Sequence, residues 1–351
     1  MRKSISFVMA AVMLSTASAP VGAVAQTPVS ALSQTGFQAF LPQLRDQARA
    51  EGVSQATIDR IFPTLQFSSR TIQLDRAQPG GVSGSTATPP FAPYRERHVN
   101  AALIGKGRTR YANNIGRLNV IGRQYGVAPS ILMAIYGHET SYGAVTGDFD
   151  LLNSLASLAY EGRRRDLFTD EFIATLKLID RGYARSQLKG SWAGATGYPQ
   201  FLPSVFLRLG VDGDGDGRSN IWNSELDALA SIANYLDNAG WKHNVPWGVP
   251  VSVPASYNRA EGGTLLRSPR CPRVHERHSR WRTMGEWRRL GIVPRAGSWP
   301  IAETEMASLL EPDGPGQTAY LLTTNYRTIL DYNCSNFYAL SVGLLADAIA
   351  R

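Results

Sequence analysis

One acid stands on what reads as an otherwise apolar helical stripe. In residues 128–143, APSILMAIYGHETSYG, a helix opening at Pro129 and closing at Gly143 sets Leu132, Ile135, Tyr136 and Glu139 at i, i+3, i+4 and i+7. A carboxyl group in an apolar wall resists ionisation, which suits a general acid at neutral pH. The competing reading leaves Glu139 exposed at a fraying helix end. Ordinary glycoside hydrolysis needs a second carboxylate at a defined distance, and Asp148 and Asp150 are the nearest. Both lie before the run LLNSL, where an aspartate more often caps the following helix.

Further along, GSWAGATGYPQFLPSVFLRLG (residues 190–210) is too dense in glycine and proline for a plain helix. It leaves Ser191, Trp192, Tyr198, Gln200 and Phe201 on turns, a composition suited to a sugar-binding wall. Aromatic faces pack on pyranose rings, a hydroxyl can orient a carboxyl group, and Gln200 offers donor and acceptor to an N-acetyl group. A structural turn between helices is the alternative. The next segment, DGDGDGR, puts Asp212, Asp214 and Asp216 at positions 1, 3 and 5 with glycine at 6, as in the first half of a Ca2+ loop. Position 12 is Asn223, so Glu225 or Asp227 would have to close a longer loop. The alternative here is a solvated acidic turn.

These residues need elements to hold them. The chain has 351 residues, 43% hydrophobic and 18% charged, enough for a substantial core in one large or two to three modest domains. Arg2 and Lys3, an apolar run from Ile5 and the tripeptide Ala23-Val24-Ala25 read as a secretory signal over residues 1–25. The run is too short for a transmembrane anchor and no cysteine follows it, so the reading is an exported, soluble, periplasmic protein. In an oxidising compartment Cys271 and Cys334 are expected to pair, with two buried free thiols as the alternative. Removing Arg2 and Lys3 lowers the formal charge of +8 to about +6, which suits anionic partners. The stretch RSPRCPRVHERHSRWRTMGEWRRL carries eight arginines with Trp281 and Trp287. Such a stretch can be a nucleic-acid patch, but in an exported protein it reads as a solvated basic face or one that meets anionic wall polymer, with no nucleic acid as partner.

The fold class expected is mainly α (α+β). Residues 26–117 form an N-terminal helical layer, broken at Gly52, recapped at Ser54 and carrying a Pro/Gly/Ser linker near 78–93. A catalytic core follows over 118–245, with Gly126 as a C-cap and the acidic loop at 212–227. Helical patterning returns between Trp222 and Trp241, with Tyr235 beside its apolar stripe. The last part, 246–351, is a small mixed α/β region: VPVSVPAS and AYLLTTNYRTILDYN read as strands, and a C-terminal helix packs back on the core.

Four motifs in this order, ETSYG at 139–143, GSWAGATGYPQFLPS, DGDGDG running into SIANYL and GW, and YNCSNFYAL, resemble the lytic murein transglycosylase B family from about Phe37 onward. The resemblance implies a lysozyme-like helical core and cleavage of peptidoglycan glycan strands at the β-1,4 bond between N-acetylmuramic acid and N-acetylglucosamine, leaving a 1,6-anhydro end. It implies that Glu139 is the acid/base, that Ser191 and Gln200 line the cleft with Tyr198, and that Tyr235, Tyr332 and Asn333 complete its walls. It also implies an EF-hand-like site for structural Ca2+ (or Na+) with Asp212, Asp214, Asp216 and Asp227 as ligands, no cofactor being required for catalysis. Cell-wall or division machinery would be the further partner. A hydrolytic muramidase and a non-catalytic wall-binding module are the alternative readings. This chain departs from the family pattern at Thr196, where methionine is common, and at Cys334 beside the Tyr332-Asn333 pair.

Overall fold

The computed structural model describes residues 32–78, 89–260, 270–271, 274–297 and 299–351. The signal segment, most of the 78–93 linker and part of the arginine-rich stretch lie outside them. In chain order the helices are α1 (Gln34–Ala50), α2 (Gln55–Ile61), α3 (Ser69–Arg76), α4 (Ala92–His98), α5 (Ala101–Tyr125), α6 (Pro129–Thr140), α7 (Leu151–Glu161), α8 (Arg165–Asp180), α9 (Pro203–Leu209), α10 (Glu225–Asn238), α11 (Met284–Arg289), α12 (Thr324–Tyr332) and α13 (Asn336–Ala350). The strands are β1 (Phe149–Asp150), β2 (Lys189–Gly190), β3 (Gly248–Ser252), β4 (Arg282–Thr283), β5 (Val293–Pro294), β6 (Met306–Leu310) and β7 (Ala319–Thr323).

The chain divides into two compact bodies, each made of discontinuous segments. This differs from the division expected from sequence. The boundary expected at 117/118 falls inside α5, which runs unbroken to its left-handed C-cap at Gly126.

One body holds the described residues 32–78 and 139–231. Its centre is the pair α7 and α8, which pack together and bury Leu152, Leu155, Phe172 and Leu176. α1, α2 and α3 cover that pair, and short polar side chains start each of them. Ser33, Ser54 and Ser68 accept the backbone N–H of Gly36, Thr57 and Thr71, as N-caps do. Gly52 takes a φ of +82° between α1 and α2, as its place in the sequence predicts.

The other body holds residues 89–138 and the described part of 232–351. α13 lies on α5, where the Arg108 Nε donates to the Ala348 carbonyl at 3.0 Å. An antiparallel sheet of order β4-β6-β7-β3-β5 adds a second layer. Val249, Val251, Leu309, Leu321 and Trp287 form one core against it. Trp287 is fully buried and its indole N–H reaches the Ala307 carbonyl at 3.0 Å, so it belongs to this core and not to a basic surface. The stretch AYLLTTNYRTILDYN divides in two. AYLLT is β7, but from Thr324 the chain is helical because the Thr323 hydroxyl accepts the Asn325 N–H and Tyr326, Ile329 and Leu330 recur on one buried face.

Candidate active site

α6 carries Glu139. Ile131 through Tyr136 are all buried, so the helix is enclosed on every side and not along a single stripe. Glu139 and its neighbour His138 are half-buried in the last turn, and Thr140 is buried after them. The expectation of an exposed, fraying end is therefore not met. Thr140 fixes the end: its hydroxyl donates to the Tyr198 carbonyl at 3.3 Å and accepts the Gly143 N–H at 3.0 Å. The chain then turns through Ser141 (φ 50°), Tyr142 (φ 62°) and Gly143 (φ 81°). Two consecutive non-glycine residues in the left-handed region cost roughly 1–2 kcal/mol each, and such strain gathers at functional sites.

Residues 190–201 form the facing turn. Gly147 and Gly190 meet backbone to backbone; a Cβ on Gly147 would stand 2.3 Å from the Gly190 carbonyl. β1 and β2 pair there, Phe149 opposite Gly190 and Asp150 opposite Lys189. Ser191 is buried, and its hydroxyl oxygen accepts the Ala195 N–H at 3.0 Å, which leaves the O–H proton to donate elsewhere. Gln200 is left-handed (φ 51°) and donates both amide hydrogens inward, to the Thr146 carbonyl at 3.1 Å and the Gly197 carbonyl at 2.9 Å. Both partners are acceptors, which fixes the amide's orientation. Gln200 thus presents a carbonyl oxygen only, not the donor and acceptor expected from sequence. Tyr198 is half-buried, whereas Trp192 and Phe201 are buried and form no wall. Glu139, Ser191, Tyr198 and Gln200 all belong to one body.

Tyr235, Tyr332 and Asn333 belong to the other. The Tyr235 and Tyr332 rings meet edge to face at 4.8 Å. The Tyr235 hydroxyl donates to the Asp331 carbonyl at 2.6 Å and accepts from Arg270 Nη1 at 3.0 Å. Asn333 is buried at the end of α12. Beside it a disulfide joins Cys271 to Cys334, with the Cα atoms 5.3 Å apart.

Of the two nearby carboxylates, Asp150 is committed elsewhere. Asp150 caps α7 through the Asn153 N–H at 2.9 Å and pairs with Arg185 Nε at 2.8 Å. Asp148 is exposed. A buried acid not singled out from sequence, Glu171, has its pKa raised by desolvation, which outweighs the hydrogen bonds it accepts from the backbone and hydroxyl of Ser204 at 2.9 and 2.6 Å. Those bonds start α9, so this acid is structural.

In the acidic loop, oxygens of Asp212, Asp214 and Asp227 lie within 4.8 Å of one another. Asp227 is fully buried and accepts the N–H groups of Gly213 and Asn220, yet desolvation still raises its pKa. Three carboxylates so close repel unless a cation sits among them, so the donor set fits a hard, oxygen-preferring ion. Asp216 is not in this group; it accepts the Arg218 N–H at 2.9 Å.

One half-buried carboxylate at the end of an enclosed helix, in the same body as a strained and polar turn, is the candidate site, and comparison with known proteins gives its class. The transglycosylase SLT domain family matches residues 36–347. Membrane-bound lytic murein transglycosylase B of Escherichia coli K12 is 30% identical over 308 residues, 87% of this chain and 78% of that protein. The structure of SltB3 from Pseudomonas aeruginosa, solved with NAG-anhNAM-pentapeptide, superposes with a TM-score of 0.79 at 36% identity, covering 90% of this chain and 79% of that one. The Escherichia coli lytic transglycosylase Slt35, solved with calcium, superposes with a TM-score of 0.70 at 26% identity, covering 91% and 93%. The chain belongs to the transglycosylase SLT family. It is a lytic murein transglycosylase, an enzyme that acts on peptidoglycan, with the mainly helical, lysozyme-like fold of that class.

Proposed function

We propose that Glu139 alone does the proton chemistry. As an acid it donates to the glycosidic oxygen between N-acetylmuramic acid and N-acetylglucosamine, while the substrate's own 2-acetamido oxygen supports the positive charge growing at C1. As a carboxylate it then takes the proton from the C6 hydroxyl, whose oxygen attacks C1 and closes a 1,6-anhydro ring. The C1–O4 bond breaks, the C1–O6 bond forms, and no water is consumed. The observation that carries this reading is that Thr140 pins the end of α6 while the neighbouring Asp150 is tied to Arg185. The anhydro sugar bound by SltB3 supports the same product.

Ser191 directs its hydroxyl proton to the Glu139 carboxyl, the Gln200 carbonyl accepts from an N-acetyl N–H, and Tyr198, Tyr235, Tyr332 and Asn333 contact the glycan. Asp212, Asp214 and Asp227 hold Ca2+, which supplies charge neutralisation in the loop and no step of the reaction; calcium in the Slt35 structure supports this. The protein acts after export, in the periplasm. No described helix is long and apolar enough to cross a membrane.

Glu139→Gln is expected to abolish turnover while fold and glycan binding persist. Mass spectrometry of digested sacculi should give 1,6-anhydro ends. Reducing ends, heavier by one water, would mean a hydrolytic muramidase, and retention on sacculi without products would mean a binding module.

A further inference from the structure

Arg270 stands one residue before the disulfide, and its side chain reaches the end of α12. Asp331 and Tyr332 are the last two residues of that helix. The final carbonyls of a helix lack an intrahelical donor and need one from outside. At Asp331 the carbonyl receives two, the Tyr235 hydroxyl at 2.6 Å and Arg270 Nη1 at 3.4 Å. The same Nη1 donates to the Tyr235 oxygen at 3.0 Å, so the three groups close a triangle. The guanidinium carbon lies 6.0 Å from the centre of the Tyr235 ring. A cation at a helix C-terminus also meets the negative end of the helix dipole.

The triangle fixes an aromatic pair. Tyr235 is only 7% exposed, and its ring packs edge to face on Tyr332, which keeps more of its surface open. Asn333 follows directly as the C-cap of α12. Arg270 is itself held from behind. The bond from Cys271 to Cys334 ties the residue after Arg270 to the short turn between α12 and α13. Three residues further on, the Val274 carbonyl accepts Asn336 Nδ2 at 2.8 Å, at the start of α13. Arg270 therefore projects from a segment anchored twice to the junction that it caps. A long side chain loses rotamer freedom when it is held in one place, and anchoring the backbone beneath it leaves only that freedom to be lost. All of these residues lie in one body.

We propose that Arg270 is a positioning residue for glycan binding, carried by the Cys271–Cys334 disulfide: it caps α12 together with Tyr235 and so sets the Tyr332 ring and the Asn333 that follows it. The proposal rests on the reading that Tyr332 and Asn333 contact the glycan, and it gives that surface its support. Arg270 acts through Tyr235 and the end of α12, not on the reacting atoms. Its loss therefore weakens substrate binding and leaves the proton transfers at Glu139 alone. One nitrogen of its fork meets both oxygens, so a lysine ammonium can take its place, whereas methionine keeps the length of the side chain and removes the donor.

The test is steady-state kinetics of the protein on soluble, uncrosslinked peptidoglycan strands at fixed Ca2+. Arg270→Met should raise KM roughly fivefold, in line with loss of a charged donor, with kcat unchanged. Arg270→Lys should keep KM at the unsubstituted value. Cys271→Ala with Cys334→Ala should raise KM as Arg270→Met does, and adding Arg270→Met to that pair should raise it no further. Partial unfolding does not mimic this pattern, because it removes active enzyme and lowers kcat alone. Circular dichroism and unfolding midpoints verify the fold, and should the disulfide-free protein not fold, Arg270→Met and Arg270→Lys decide the matter with the disulfide in place. An unchanged KM in Arg270→Met, an equal rise in Arg270→Lys, or additive rises on combining Arg270→Met with loss of the disulfide would overturn the proposal. Failure of the glycan-contact reading shows separately, as a normal KM in Tyr332→Ala. A raised KM in Tyr332→Ala beside an unchanged one in Arg270→Met would sink the positioning role alone.

Discussion

Gln200 gives both amide hydrogens to the protein, which leaves its carbonyl oxygen as the one polar group it can offer. The two carbonyls it satisfies, at Thr146 and Gly197, lie on two separate segments of the body that holds Glu139. Gln200→Ala is therefore expected to lower unfolding stability by about 1–2 kcal/mol, from two backbone acceptors losing their donor, and also to raise KM. Denaturant titration beside steady-state kinetics checks this; a change in KM with no change in stability would remove the structural half of the argument. Residue types were legible in the sequence here, and Ser191, Tyr198 and Gln200 stand together in one body as their spacing suggested. Their hydrogen-bond partners were not legible. Whether an amide faces a ligand or a carbonyl depends on a backbone conformation that the string does not encode, and Gln200 adopts one that non-glycine residues rarely take. Thr196 is the sharpest case. In the sequence it stands out only as a departure from the family pattern, yet it lies wholly inside the protein, where its hydroxyl donates to the Lys189 carbonyl and accepts the Trp222 indole N–H.

At the scale of elements, the acidic loop couples to α10 through Asp227, the buried carboxylate that accepts the N–H groups of Gly213 and Asn220 across the loop. A bound cation would relieve the repulsion among Asp212, Asp214 and Asp227, so Ca2+ should raise the thermal midpoint of the protein. At a hundredfold excess over the dissociation constant the gain is about 2.7 kcal/mol. Asp214→Asn, at an exposed ligand, should remove most of that gain without unfolding the apoprotein; an undiminished shift would take Asp214 out of the site. The caps and breaks that bound the helices were legible, Gly52, Ser54, Gly126 and Asp150 among them, because a cap is a local agreement between one side chain and the next three N–H groups. The helix α12 was misread as strand because its β-branched and aromatic residues carry strand propensity, which burial of one helical face overrides.

Across the whole molecule, stability should depend on pH through buried histidines. Burial lowers the pKa of His278 to about 4 and that of His138 to about 3, both from an ordinary 6.5. His278 donates from Nε2 to Asn336 Oδ1 at 2.8 Å, the same oxygen that receives the Tyr326 hydroxyl, and accepts from Ser308 at Nδ1, so both nitrogens are engaged in the neutral form. Below pH 6.5 the unfolded chain binds protons that the folded one refuses, so stability falls as pH drops from about 6.5 towards 4 and is constant above. The loss at pH 5 is roughly 2 kcal/mol for His278. Urea midpoints at pH 7 and pH 5 measure it, and equal midpoints would disprove it. The division of the chain into bodies was the least legible property, since each body joins segments distant in sequence. That interleaving sets an order of events during synthesis. The body bearing Glu139 has its last segment once residue 231 has been made, whereas α5 must wait for α13, whose partner carbonyl at Ala348 lies 240 residues beyond Arg108. Every segment of the body that holds residues 139–231 thus exists while α5 still lacks α13, and α5 gains that partner only when the last residues of the chain emerge.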